Sequence, residues 1–155
     1  MSNTCETLQA AVTLMSAWET RDLNAAARLL TDDFQLTGPA AVTLGKQEYL
    51  GFQAIHNEGF ADWQFNPTLV AVEGDTARVT FQISATHTGA WDVSKLGVPI
   101  PAVAATGKHR SWPVEHMTVQ VERGQVRQLE VSTGPGGGVA GTLEWLGINV
   151  AAPAI

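Results

Sequence analysis

Residues 65–87 read FNPTLVAVEGDTARVTFQISATH, and the spacing of their apolar positions decides the fold class. Val79, Phe81, Ile83, Ala85 and His87 share one parity, while Arg78, Thr80, Gln82 and Ser84 occupy the other. Alternation with a period of two marks a half-buried strand. Glu73-Gly74-Asp75 interrupts the pattern as a tight turn, so Phe65–Val72 and Ala77–His87 are expected to pair as strands. Upstream, the period is 3.6. Leu8, Ala11, Val12, Met15 and Trp18 predict an amphipathic helix over about Thr4–Thr20. Asp22 is a fitting N-cap for a second helix, LNAAARLL, and Tyr49, Phe52, His56 and Phe60 form the stripe of a third within KQEYLGFQAIHNEGF. Between these two helices DDFQLTGPA reads as a short extended piece, punctuated by Gly38-Pro39.

Downstream, HRSWPVEHMTVQVE and QVRQLEVST are two further strands joined at Arg123-Gly124. Thr88–Lys108, with Gly97, Pro99, Pro101 and Gly107, is a loop long enough to invite a functional role. The tail from Gly134 reads as flexible, with one helical turn around Leu143–Leu146. Helices followed by antiparallel strands imply an α+β fold, a curved sheet with helices on one face that together enclose a pocket. Residues 1–155 are expected to form one domain.

Composition narrows the function classes. The net charge is −6 with only nine Lys and Arg, which argues against nucleic acid and against anionic membrane surfaces as partners. Cys5 is the only cysteine, so no internal disulfide forms and a reducing compartment is the simpler assumption. The N-terminus lacks the pattern of a signal peptide, and no apolar run reaches the length of a membrane span. A soluble, cytoplasmic protein is expected.

The phrases LLTDDFQL, VAVEGDTARVTFQISATHTGAW, GVPIPA, TGK, VERGQV and LEWLG, in this order, resemble the SnoaL-like polyketide cyclase family of the NTF2-like superfamily. The resemblance runs from about Met15 to Gly147, and its most specific piece is THTG, Thr86–Gly89, followed by the Gly/Pro loop and TGK. It implies a cone-shaped barrel with a deep apolar pocket, usually a homodimer, with no cofactor and no metal. Characterised members close a ring by an intramolecular aldol reaction, using an Asp on the last strand and a His on the preceding one. The related limonene-epoxide hydrolases also place a catalytic Asp on that last strand. Where the family commonly continues GKIVEHWD, this chain reads GQVRQLEV, so the Asp position lands on Val131 and the His position on Met117. A slip of one residue would put Glu130 at the wall but would turn Leu129 and Val131 away from it. In ketosteroid-isomerase-like relatives a base can sit at the end of the short strand, where this chain has Gly38.

Three titratable residues occupy pocket-facing parities. His87 extends the apolar face of its strand towards the pocket, as a base or acid whose charge shifts near neutrality. Glu115 shares parity with Met117, Val119 and Val121, and burial there would raise its pKa towards that of a neutral-pH acid or base. His56 lies on the stripe of the third helix. No short metal-ligand spacing supports joining the three into a metal site. Trp18, Phe52, Phe81, Met117, Leu129 and Val131 are the expected substrate-binding walls, with Trp91 in the long loop as a lid. His116 shares parity with Trp112 and Val114, which suits a two-fold interface on the open sheet face. GPGGG lacks the Lys-Ser/Thr of a phosphate loop. Two functions fit these features: a cofactor-free cyclase, isomerase or hydrolase acting on a hydrophobic small molecule, and a non-catalytic binding or dimerising module.

Overall fold

The structure is a computed structural model that describes residues 2–38 and 42–148. Pro39 of the expected turn and the chain end from residue 149 lie outside the described residues. The first helix, α1, spans Ser2–Thr20 and buries Thr7, Ala10, Ala11, Leu14, Ala17 and Trp18. This stripe is rotated from the expected one, leaving Leu8 and Val12 exposed. The alanines on the inner side let α1 lie close over the sheet, where it packs on strands β2, β3, β6 and β7 defined below. Helix α2 (Leu23–Leu29) is capped as expected, with the Asp22 carboxylate accepting from the Ala25 amide at 3.0 Å. Strand β1 (Leu30–Thr37) follows directly, and α3 (Lys46–Gly59) packs on it.

The remaining strands are β2 (Thr68–Glu73), β3 (Thr76–Phe81), β4 (Ser84–Thr86), β5 (His109–Ser111), β6 (Glu115–Glu122) and β7 (Gln125–Ser132). They form one five-stranded sheet in the order β1-β7-β6-β3-β2 and a two-stranded ribbon of β4 and β5. Among the described residues only the β1–β7 pair is parallel. Each of the two long strands expected on either side of the loop is broken into two. Pro113 has no N–H and cannot continue a ladder. Opposite it the chain leaves the main sheet at Gln82-Ile83, where the Gln82 side chain donates to the Trp112 carbonyl at 3.1 Å. The ribbon therefore bends away from the main sheet, and this bend curves the sheet around its helices.

The bend also resets parity. Trp112, expected outside with His116, is fully buried and donates from Nε1 to the Thr142 hydroxyl at 2.9 Å. The apolar patch expected for a two-fold interface is thereby reduced to scattered residues such as Val70 and Val114. The long loop is not loose. A 3-10 turn at Val93–Leu96 and a pair of 2.9 Å backbone bonds between Trp91 and Val103 fold it back on itself, burying Trp91, Val93 and Val98. The expected helical turn near the C-terminus is a full helix, α4 (Gly138–Trp145), that begins inside the glycine run.

Candidate functional site

Between the helices and the concave face of the sheet lies an apolar cavity of about 50 Å³. Helix α3 contributes Tyr49, Phe52, Gln53 and His56, strand β6 Glu115 and Met117, and strand β7 Leu129 and Val131. Trp18 of α1 and Phe81 of β3 complete the expected walls, and all six residues predicted as walls from helices and strands face this space. The register chosen for β7 holds, because Glu130 is exposed on the opposite face, where it accepts from Gln128 Nε2 at 3.2 Å. Helix α4 closes the cavity with Gly138, Val139 and Thr142. Sequence reasoning missed this wall because the glycines hide the helical spacing of Val139 and Leu143. The volume holds a few waters, whereas a drug-sized ligand takes roughly 300–1,000 Å³. A large occupant must therefore displace a wall.

Among the described residues Glu115 is the only acid on the wall, and it is 2% exposed. It sits opposite Phe81 in the β3–β6 ladder, and a Cβ on Gly137, the N-cap of α4, would lie 3.5 Å from its Oε1. No hydrogen bond or ion pair reaches it from the described residues. Burial pushes its pKa from 4.5 up to about 7. His56 is also buried, and its Nδ1 lies 2.7 Å from the Phe52 carbonyl oxygen. A carbonyl only accepts, so Nδ1 carries the proton and Nε2 keeps its lone pair. Burial is the main cause holding the His56 pKa down at about 4, against a smaller opposite effect of the Phe52 carbonyl. At neutral pH His56 is an uncharged acceptor.

The two positions at which the resemblance implied a His and an Asp carry apolar side chains. Met117 and Val131 face each other across the β6–β7 ladder. Glu115 stands two residues before Met117, about 7 Å along the same face of β6. Gly38 is barred from carrying a base: its φ is +118°, and a Cβ there would meet the Val131 carbonyl oxygen at 1.8 Å.

Two expected site residues do not reach the cavity. His87 follows the bend at Gln82-Ile83 and turns behind Phe60, with ring centroids 5.2 Å apart. Its Nδ1 lies 2.9 Å from the Thr106 hydroxyl, and burial lowers its pKa. Trp91 is buried against Phe60 and His56 and does not act as a lid. THTG is a staple between elements: Thr86 binds the Asp62 carboxylate through its amide and hydroxyl, and a Cβ on Gly89 would strike the Glu58 carbonyl oxygen at 2.3 Å.

A family model described as a SnoaL-like domain matches residues 11–129. The chain belongs to the SnoaL-like family. Solved structures share its NTF2-like fold at low identity. AclR from Streptomyces galilaeus, assigned as a hydroxylase, is 18% identical with a TM-score of 0.70, covering 93% of this chain and 97% of its own. A protein from Jannaschia sp. CCS1 assigned as a SnoaL-like polyketide cyclase is 18% identical with a TM-score of 0.69, covering 99% and 97%. An LEH-like epoxide hydrolase from M. tuberculosis is 12% identical with a TM-score of 0.61, covering 92% and 93%. No curated protein matches the sequence. Among the described residues no helix is long and apolar enough to cross a membrane.

Proposed function

We propose that this SnoaL-like chain is a cofactor-independent enzyme that moves a proton on a hydrophobic small molecule such as a polyketide, with Glu115 as the acid/base. The observation that carries this reading is an unpartnered carboxyl in an apolar cavity, poised near pH 7. A general base works best when its pKa is near the working pH, and a dry surrounding makes its carboxylate more basic. His56 Nε2, on the same cavity wall, is an acceptor for a substrate hydroxyl. Val131 and Met117 supply shape in place of the family's Asp and His, folding a flexible substrate into a reactive conformer. A homodimer in the cytoplasm is part of the same proposal and follows the family.

Abstraction of a carbon-bound proton is tested without knowing the substrate by 5-nitrobenzisoxazole. A base removes its ring C–H proton, the N–O bond breaks, and a coloured cyanophenolate forms. The expected result is turnover above buffer that rises through pH 7 and falls to background in Glu115→Gln. A cavity that binds the probe with no turnover at any pH would instead favour the binding-module reading, which Val131 and Met117 also fit.

A further inference from the structure

Helix α4 roofs the cavity with Gly138, Val139 and Thr142, yet it stands outside the backbone network of the fold. Among the described residues, every backbone-to-backbone hydrogen bond of residues 134–148 stays within that stretch, as from Gly137 to Gly134 at 3.0 Å and from Ile148 to Leu143 at 2.9 Å. The chain reaches α4 from β7 through Gly134-Pro135-Gly136-Gly137, and Gly138 opens the helix. Gly136 and Gly138 hold φ of +87° and +67°, which glycine adopts without steric cost. A Cβ on Gly134 would meet nothing within 4 Å, so packing does not require a glycine there. Such a segment can change φ and ψ freely, which is what a hinge needs. Side chains hold the helix down instead. Val139 and Leu143 are buried, and the Thr142 hydroxyl accepts from Trp112. Arg110 of β5 adds a latch from outside. Its Nη1 donates to the Gly141 carbonyl at 3.3 Å, and its guanidinium lies over the rings of Trp112 and Trp145, 5.1 and 5.8 Å from their centroids. The other walls lack this freedom: α1 packs on four strands, α3 packs on α2 and β1, and the strands themselves are laddered.

We propose that α4 is the lid of the cavity, hinged at Gly134–Gly138 and latched by Arg110, and that occupants larger than the closed cavity bind by lifting it. The inference goes beyond the proposed function, since a lid serves a catalytic cavity and a purely binding one alike. An occupant that keeps the lid raised binds only the open fraction of the protein, so its apparent affinity carries the cost of opening. Weakening the latch must then tighten binding. Loss of a residue that only supports the wall would leave affinity unchanged or weaken it.

The test uses N-phenyl-1-naphthylamine, an uncharged probe too large for the closed cavity, whose fluorescence rises in apolar surroundings. In the unmodified protein its binding should speed amide hydrogen exchange across Gly138–Trp145, while the amides of α1, α3, β6 and β7 keep or gain protection. Arg110→Met keeps an apolar stem but loses the hydrogen bond and the cation–π contacts, and it should bind the probe about tenfold more tightly. Trp145→Leu, which leaves Arg110 in place, should shift the affinity in the same direction. Xenon, which the closed cavity admits, should bind all three proteins equally. Failure of the probe to bind, or faster exchange in α1 or α3 in place of α4, overturns the proposal on the unmodified protein alone. Probe affinity that fails to tighten in both variants, or an effect on xenon as large as on the probe, overturns it as well. None of these readings uses turnover, so the lid is tested separately from the role of Glu115.

Discussion

Replacing Glu115 with Gln should make the protein more stable at alkaline pH, because the cavity favours the neutral acid. The folded-state pKa of about 7 lies above the ordinary 4.5, so between these values the folded state binds more protons than the unfolded one. Stability contributed at low pH is then lost as pH rises through 7. The rise corresponds to about 3 kcal/mol, and relaxation of the folded protein around the carboxylate reduces it to roughly 2 kcal/mol. For a chain of this size that is a difference of about 6 °C in Tm. Thermal unfolding of both proteins followed by circular dichroism from pH 4.5 to 8.5 measures it, with the difference between them cancelling other titrations. Near pH 4.5 the two midpoints should coincide, and by pH 8 the Gln variant should melt about 6 °C higher. A difference that is flat with pH, or that grows towards acid, would refute the account of a desolvated carboxyl.

His56 should act in the opposite direction. Its folded pKa of about 4 lies below the ordinary 6.5, so it destabilises as pH falls through that window. His56→Gln should gain up to about 3 kcal/mol relative to the unmodified protein between pH 7 and pH 4, read by urea unfolding at the two pH values. Thr142→Val removes the only acceptor of the buried Trp112 Nε1 bond at 2.9 Å and should cost about 1–3 kcal/mol. Faster amide exchange confined to Gly138–Trp145, with the sheet unaffected, is the expected signature. Gly38→Ala forces a Cβ towards the Val131 carbonyl at a φ of +118° and should destabilise by on the order of 2 kcal/mol or more in chemical unfolding.

The architecture was legible wherever one period persisted. The third helix and the last strand kept their expected faces, so Phe52, His56, Leu129 and Val131 were placed correctly from spacing alone. Glu115 was legible too, since it lies within an unbroken strand after Pro113. His87 and Trp112 were misplaced for a common reason. Parity was carried across the bend at Gln82 and Pro113, where it does not hold. Tyr49 stood in plain view on its helical stripe, but its oxygen accepts from Trp18, 31 residues earlier in the chain, and such a pairing leaves no local mark. Helix α4 was obscured by composition: Gly141 packs so closely on the Gly136 carbonyl that a Cβ would lie 2.1 Å away. A residue that lowers helix propensity is here required by packing.

The most direct measurement is a titration of Glu115 itself, by NMR of a 13C-labelled side-chain carboxyl, with Glu115→Gln identifying the signal. The account predicts a midpoint near 7. A midpoint near 4.5 would mean that water or a partner reaches the carboxylate, and the proposed acid/base would be gone.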